Sequence, residues 1–282
     1  MATVKLWHNG LSAGIAPPGA GDDPGKRGSV RGWSVQSSRS NSRFLYSVRS
    51  EDLSGQGWTG TLTVLECPDA STWKRARESW LARMRWLGVS RLHWVVEWQE
   101  RGAPHLHAAM WFDEEVQGLD WALRDVQIWG GWLDVCRALG MTCSDCSQYT
   151  LPIRDVLGWL QYLSKHAARG AGHYQRAAQG IPECWKSTGR MWGHIGDWPT
   201  DEPAEVDLDA RGWILFRRLV RSYRVSVARR TRQGGMIRAA RRMLRWPHPE
   251  TSSYRGVSGW VPEVVSLGIL RAVEAAGGVV SS

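Results

Sequence analysis

Glu97, His105 and His107 are residue types that bind divalent cations, and Tyr162 with Lys165 is a pair that can attack a phosphate and stabilise the charge that develops. Side chains alternate sides along a strand, so the two histidines of Pro104-His105-Leu106-His107 project from one face if that segment is extended. In the preceding segment Leu92, Trp94, Val96 and Trp98 are apolar, which leaves His93, Val95, Glu97 and Gln99 for the other face. Pairing the two segments about Gly102 sets Glu97 opposite His107 and Gln99 opposite His105. Two imidazoles and one carboxylate with open positions suit Mn²⁺, Mg²⁺ or Zn²⁺, and equally the facial triad of a non-haem iron oxygenase. An isolated His-x-His is more often a pair of hydrogen-bonded strand residues, and Glu97 on the matching face is what raises the metal reading to parity with it. Glu100 is a weaker candidate ligand, in the turn and of the wrong parity.

The tyrosine needs a helix. At about 100° per residue, Val156, Leu160, Leu163 and Ala167 form an apolar stripe, while Asp155, Gly158, Tyr162, Lys165, His166 and Arg169 lie opposite. Tyr162 and Lys165 are therefore neighbours one turn apart. A phenol with a pKa near 10 is a poor nucleophile at neutral pH unless a cation stabilises its phenolate, which an ammonium does. Tyr-x-x-Lys by itself is weak and is more commonly an amphipathic tyrosine with a solvated lysine.

The elements that must position these groups are legible around them. Thr59–Glu66 has strand composition and ends at Cys67-Pro68. Asp69–Ser71 can cap a helix whose apolar positions Trp73, Trp80, Met84 and Leu87 recur at helical spacing, closed by Gly88. Leu92–Trp98 and His105–Phe112 form a hairpin across a Gly-Pro-containing turn. A second helix is expected over Trp121–Ala138 despite Gly130-Gly131, a short strand through Gln148–Leu151, and a third helix from about Ile153 to Arg169. Before Trp58 the chain is rich in Gly, Ser, Pro and Arg, so residues 1–57 read as a flexible basic arm with one short strand near Phe44–Val48. Residues 58–200 read as the catalytic domain and 201–282 as a basic, mainly helical extension.

The chain has 282 residues and a formal net charge of +9, which favours a polyanionic partner. No run of about 18 uncharged apolar residues exists, and the first twenty residues lack a secretory pattern, so neither spanning nor secretion is expected. The 5 cysteines, an odd number, point to a reducing cytoplasm rather than a disulfide scaffold. Cys143-Ser-Asp-Cys146 has zinc-knuckle spacing, with Cys136, Cys184 or His173 to complete a site, but one such pair reads better as free thiols. Between Arg217 and Arg245 the chain has many arginines and no acidic residue, the composition of a segment that contacts DNA phosphates. Arg217, Arg218, Arg221, Arg229, Arg230, Arg241 and Arg242 are its candidate contacts. Arg190 and Trp192 of Gly-Arg-Met-Trp-Gly are candidates for contact or stacking with a DNA strand.

The order Thr-Leu-Thr-Val, then Glu-Trp-Gln-Glu-Arg-Gly-Ala-Pro-His-Leu-His, then Tyr-Leu-Ser-Lys resembles the three motifs of the HUH endonucleases, in the order found in rolling-circle replication initiators. The string ending in His-Leu-His and the later Gly-Arg-Met-Trp-Gly are similar to initiators of filamentous phages and related small replicons, over roughly Trp58–Trp198. The resemblance implies an α+β fold with an RRM-like (ferredoxin-like) antiparallel sheet and helices on one face. It implies His105, His107 and Glu97 as ligands of a divalent metal, Mg²⁺ or Mn²⁺, Tyr162 as nucleophile and Lys165 as its assistant. Positions 158 and 166 hold Gly and His, so a single-tyrosine enzyme is expected, one that nicks and rejoins single-stranded origin DNA through a 5′-phosphotyrosine. Host helicase and polymerase are candidate partners, inside the host bacterial cell and away from membrane. The rival readings are a relaxase or transposase of the same chemistry and a non-catalytic DNA-binding regulator. No Gly-x-x-x-x-Gly-Lys-Ser/Thr loop is present, so a built-in helicase is not expected.

Overall fold

The computed structural model describes residues 1–15, 32–112, 121–168, 181–182, 185, 187–232, 234–244 and 256–281, with the backbone only at position 121 and from 165 to 168. Its elements in chain order are β1 (Ala2–Trp7), β2 (Gly10–Gly14), α1 (Val35–Ser47), β3 (Gln56–Thr63), α2 (Ala70–Trp86), β4 (Val89–Trp98), β5 (Pro104–Phe112), α3 (Trp121–Ala138), β6 (Tyr149–Pro152), α4 (Val156–Ala168), β7 (Trp192–Ile195), β8 (Ala204–Leu208), α5 (Ala210–Arg230), α6 (Gly234–Arg242), β9 (Val257–Trp260), α7 (Glu263–Ala275) and β10 (Val280–Ser281). The fold is α+β, with two antiparallel five-stranded sheets. The chain divides into two compact units, one of residues 25–45 and 49–199, the other of 1–24, 46–48 and 200–282.

In the first unit the strand order is β6-β3-β5-β4-β7. β4 and β5 are the most thoroughly buried strands, shielded on both faces, so their polar residues are enclosed as well as their apolar ones. α2 starts on Asp69, whose carboxylate accepts the amides of Ser71 and Thr72 at 2.9 and 3.0 Å. That fills two of the helix's orphan donors. α2 and α3 meet through Trp73 and Trp132, edge to face at 5.5 Å, and Trp132 anchors to β3 by donating to the Thr63 carbonyl at 3.0 Å. One of the two glycines inside α3 has a packing reason. A Cβ at Gly131 would come within 3.0 Å of the Arg83 side chain on α2, so the residue that weakens the helix also permits the close crossing.

The hairpin register differs from expectation by two residues. Glu97 pairs with His105 and Val95 with His107, because Gln99 and Ala103 close a three-residue turn centred on Arg101, in which Gly102 takes φ +81°. A slip of two preserves the face of every side chain, whereas a slip of one would have exchanged faces.

The second unit corrects the domain reading. The segment expected as a flexible arm contributes β1 and β2, and α1 occupies the position where a short strand was expected near Phe44. The sheet has the order β10-β8-β1-β2-β9, so strands from both ends of the chain pair, Val4 with Val206 and Leu6 with Ala204. Val4, Leu6 and Leu11 join Trp213, Phe216 and Val220 of α5 and Leu270 and Val273 of α7 in one core. The C-terminal region, mainly helical, thus also supplies β8, β9 and β10 to this sheet. Asp209 caps α5, and the Gly212 and Val279 amides that donate to it hold its carboxyl below the usual range. No described helix is long and apolar enough to cross a membrane.

Candidate active site

Direct cross-strand pairing puts Thr63, His105 and Glu97 in one row and Thr61, His107 and Val95 in the next, all on the same face of the sheet. Glu97 is fully buried, and His105 and His107 are 5% and 6% exposed. The imidazole rings meet edge to face at 4.5 Å, and His107 Nε2 lies 3.6 Å from Glu97 Oε2. One donor atom from each of the three residues falls within 4.8 Å of the others, the only such group among the described residues. The donor set fits a divalent cation. A carboxylate taken out of water is costly unless it meets positive charge or a metal, and two imidazoles converging on it complete a facial set with positions left for substrate.

Thr61 was not singled out by the sequence. Its Oγ1 is 3.0 Å from His107 Nδ1, a hydrogen bond in which either atom can donate, and it orients the ring so that Nε2 faces Glu97. The signal available was the alternation Thr59, Thr61, Thr63 in the strand next to the histidines. Partners of this kind tune ligand orientation, so Thr61→Val is expected to weaken cation binding about 10- to 100-fold while keeping the fold. Mn²⁺ titration followed by the rise in melting temperature checks this, and an unchanged affinity would remove Thr61 from the site.

α4 begins at a cap formed by Asp155, which accepts the Gly158 amide at 2.9 Å, three residues later than the expected start near Ile153. Leu160 and Leu163 of the apolar stripe are fully buried. This phase brings the Tyr162 ring to 6.2 Å from the His107 ring, edge to face, and stacks it on Trp159 at 4.8 Å. Tyr162 remains 37% exposed, so its ring touches both the buried cluster and solvent. A side chain at position 158 would collide with the capping carboxylate, its Cβ 2.2 Å from Asp155 Oδ2, so that position cannot carry a second tyrosine without losing the cap. Lys165 lies on α4, but its side chain is outside the described residues.

At the other end of the same face, Phe44 of α1 stacks on His194 at 4.0 Å and on His93 at 5.6 Å, with Trp192 alongside at 6.2 Å. Trp192 therefore packs within an aromatic cluster, while Arg190 is exposed and its carbonyl accepts from Arg77. His93 Nε2 lies 2.7 Å from Asn41 Oδ1, and burial, with His194 nearby, pushes its pKa down to about 3. A histidine whose folded pKa is depressed stabilises the fold above its unfolded pKa of 6.5 and loses that contribution as pH falls. Between about pH 6.5 and 3, stability is expected to drop by up to about 1.4 kcal/mol per pH unit on account of this group. Urea unfolding of wild type and His93→Gln at a series of pH values measures it, and parallel slopes would refute it.

Of the arginines expected to face DNA, Arg218, Arg229, Arg230, Arg241 and Arg242 are exposed and Arg221 is half-buried, donating to the Arg241 carbonyl. Arg217 is the exception, buried with its guanidinium 5.3 Å from the Trp213 ring, where it belongs to the core beneath α5. Cys136 is buried, with its thiol pKa raised by burial and by the hydrogen bond with Cys143, while Cys146 is exposed. None of these thiols belongs to a metal-holding group among the described residues; Cys184 and His173 lie outside them.

The first unit thus defines an α+β protein in which a helical tyrosine lies against a buried His-Glu-His cluster on a sheet. The chain belongs to the replication-associated protein family named for ORF2 and the phage gene-2 protein, whose family model matches residues 58–174, a span that holds Glu97, His105, His107 and Tyr162. It is 42% identical over 275 residues to a putative replication protein of Xylella fastidiosa (strain 9a5c), covering 95% of this chain and 94% of the relative. It is 41% identical over 281 residues to the replication-associated gene-2 protein of Pseudomonas phage Pf3, covering 98% of this chain and 99% of that protein. No solved structure matches the chain.

Proposed function

We propose that this protein initiates rolling-circle replication of a phage or plasmid by cutting one strand of origin DNA with Tyr162 and later rejoining it, as a single-tyrosine HUH endonuclease. The observation that carries the reading is the Tyr162 ring 6.2 Å from that of His107, beside the buried Glu97, His105 and His107. Those three residues would hold Mn²⁺ or Mg²⁺. A divalent cation there, when bound, polarises a phosphate oxygen and offsets the charge of the transition state.

The remaining work falls to the chain's own groups. Tyr162 Oη bonds to phosphorus as the bond from phosphorus to the 3′-oxygen breaks; the phenol gives up its proton and the departing oxygen gains one. One phosphodiester becomes a 5′-phosphotyrosyl ester and a free 3′-hydroxyl, with no net loss of an ester bond, so a later 3′-hydroxyl can reverse the step without ATP. Trp159 supports the nucleophile's ring, and Lys165, three residues along the same helix, is assigned to stabilise the phenolate and the phosphoryl charge. The released 3′-hydroxyl primes the host polymerase, with unwinding left to a host helicase, in the host cytoplasm. The exposed arginines of α5 and α6 bind DNA phosphates without regard to sequence, and Arg190 and Trp192 are assigned to contact or stack on the single strand.

The test uses the full chain and single-stranded DNA of the replicon that encodes it. With Mn²⁺ or Mg²⁺ a protein–DNA adduct that survives denaturing electrophoresis is expected, and chelator should prevent it. Absence of any adduct on either origin strand, whichever divalent cation is supplied, would overturn the reading.

A further inference from the structure

β6 is the edge strand of the sheet that bears the candidate site, and its side chains alternate sharply. Thr150 is buried toward the helices, with its methyl group close to Gly60, while Tyr149 and Leu151 are 53% and 45% exposed on the opposite face. Register fixes which face that is. Tyr149 pairs with Thr61 and Leu151 with Thr59, and Thr61 itself pairs with and hydrogen-bonds to His107. Tyr149, Thr61 and His107 therefore form one row across three strands, and Tyr149 stands about 10 Å from the histidine strand, two strand spacings.

The edge is held in place. The Gln148 side chain continues the ladder beyond Tyr149, accepting from the Thr63 amide at 2.9 Å and donating to the Ser144 carbonyl at 2.7 Å. A rigid, exposed aromatic beside an exposed leucine, continuous with a polar row that leads to the nucleophile, is a platform with an apolar face to cover. Bases of a single strand present such faces, and stacking on an aromatic is worth about 1–3 kcal/mol per base irrespective of sequence. Duplex DNA keeps its bases stacked within the helix and cannot offer them.

We propose that Tyr149, with Leu151, is a stacking subsite for an unpaired base of the DNA strand that reaches Tyr162. The proposal rests on the nicking reading for the identity of that strand. Tyr149 acts as a positioning residue: it sets how tightly and in which register the strand lies, and takes no part in bond making.

Binding is measured by fluorescence anisotropy with a labelled single strand about twenty nucleotides long and with the corresponding duplex, on the full chain without added metal. Tyr149→Ala is expected to weaken single-strand binding about 5- to 100-fold, with Tyr149→Phe and Tyr149→Trp close to wild type and duplex binding unchanged. Melting temperature within a degree or so of wild type shows that the edge strand is intact; should Tyr149→Ala melt early, Leu151→Ala is read in its place. Equal single-strand binding by wild type and Tyr149→Ala, or a loss in Tyr149→Phe as large as in Tyr149→Ala, would overturn the proposal. A wild type that shows the expected binding pattern yet cuts no origin DNA would sink the nicking reading and leave the subsite standing.

Discussion

Tyr162→Phe is expected to bind DNA as well as wild type and to form no covalent adduct with it, a fall in cleavage of at least about 10⁴-fold. The substitution removes one oxygen atom. The ring keeps its stack on Trp159 and its edge contact with His107, so neither α4 nor the sheet has reason to move. Helix packing depends on Leu160 and Leu163, which are untouched. Because Tyr162 is 37% exposed, losing one oxygen opens no sizeable cavity, and melting temperature should change little. Residual activity comparable to wild type would mean that another group attacks the phosphate, and mapping the attached residue by peptide mass would identify it.

Glu97→Gln separates charge from shape. The side chain is fully buried and 3.6 Å from His107 Nε2, so an isosteric amide fills the same space but carries no negative charge toward a cation. Cation affinity is expected to fall at least about 100-fold, and cleavage with it, partly restored by excess Mn²⁺. Calorimetric unfolding supplies a readout independent of activity: wild type at 100 times its dissociation constant should gain about 2.7 kcal/mol, and the variant no more than about 0.4 kcal/mol at that concentration. The sign for the apo protein is opposite. Removing a buried charge relieves desolvation, so Glu97→Gln without metal should be at least as stable as wild type. Equal metal-induced stabilisation in both proteins would take Glu97 out of the ligand set.

The parts of the site that could be read in advance are those governed by local periodicity. Strand alternation put Glu97, His105 and His107 on one face, and a two-residue error in register left that face unchanged. Helical phase separated Tyr162 from the stripe of Leu160 and Leu163. The register itself was not legible, because it depends on the backbone of a three-residue turn with Gly102 at positive φ rather than on the pattern of the strands. Nor was the role of Thr61, whose meaning exists only once β3 lies beside β5. The arginines show the same limit: composition separates basic from acidic segments, but only packing around Trp213 distinguishes Arg217 from its exposed neighbour Arg218.

The sequence by itself determined the chemical groups, the faces they occupy and the strand, helix and hairpin that carry them, since each follows from contacts within a few residues. Only the tertiary structure decided that the tyrosine helix comes to rest on the histidine face, and that β1 finds its partner β8 some two hundred positions away. A lone hairpin such as β1 and β2 is marginal in water, so its persistence depends on β8 and β9, which loop closure must bring from far along the chain.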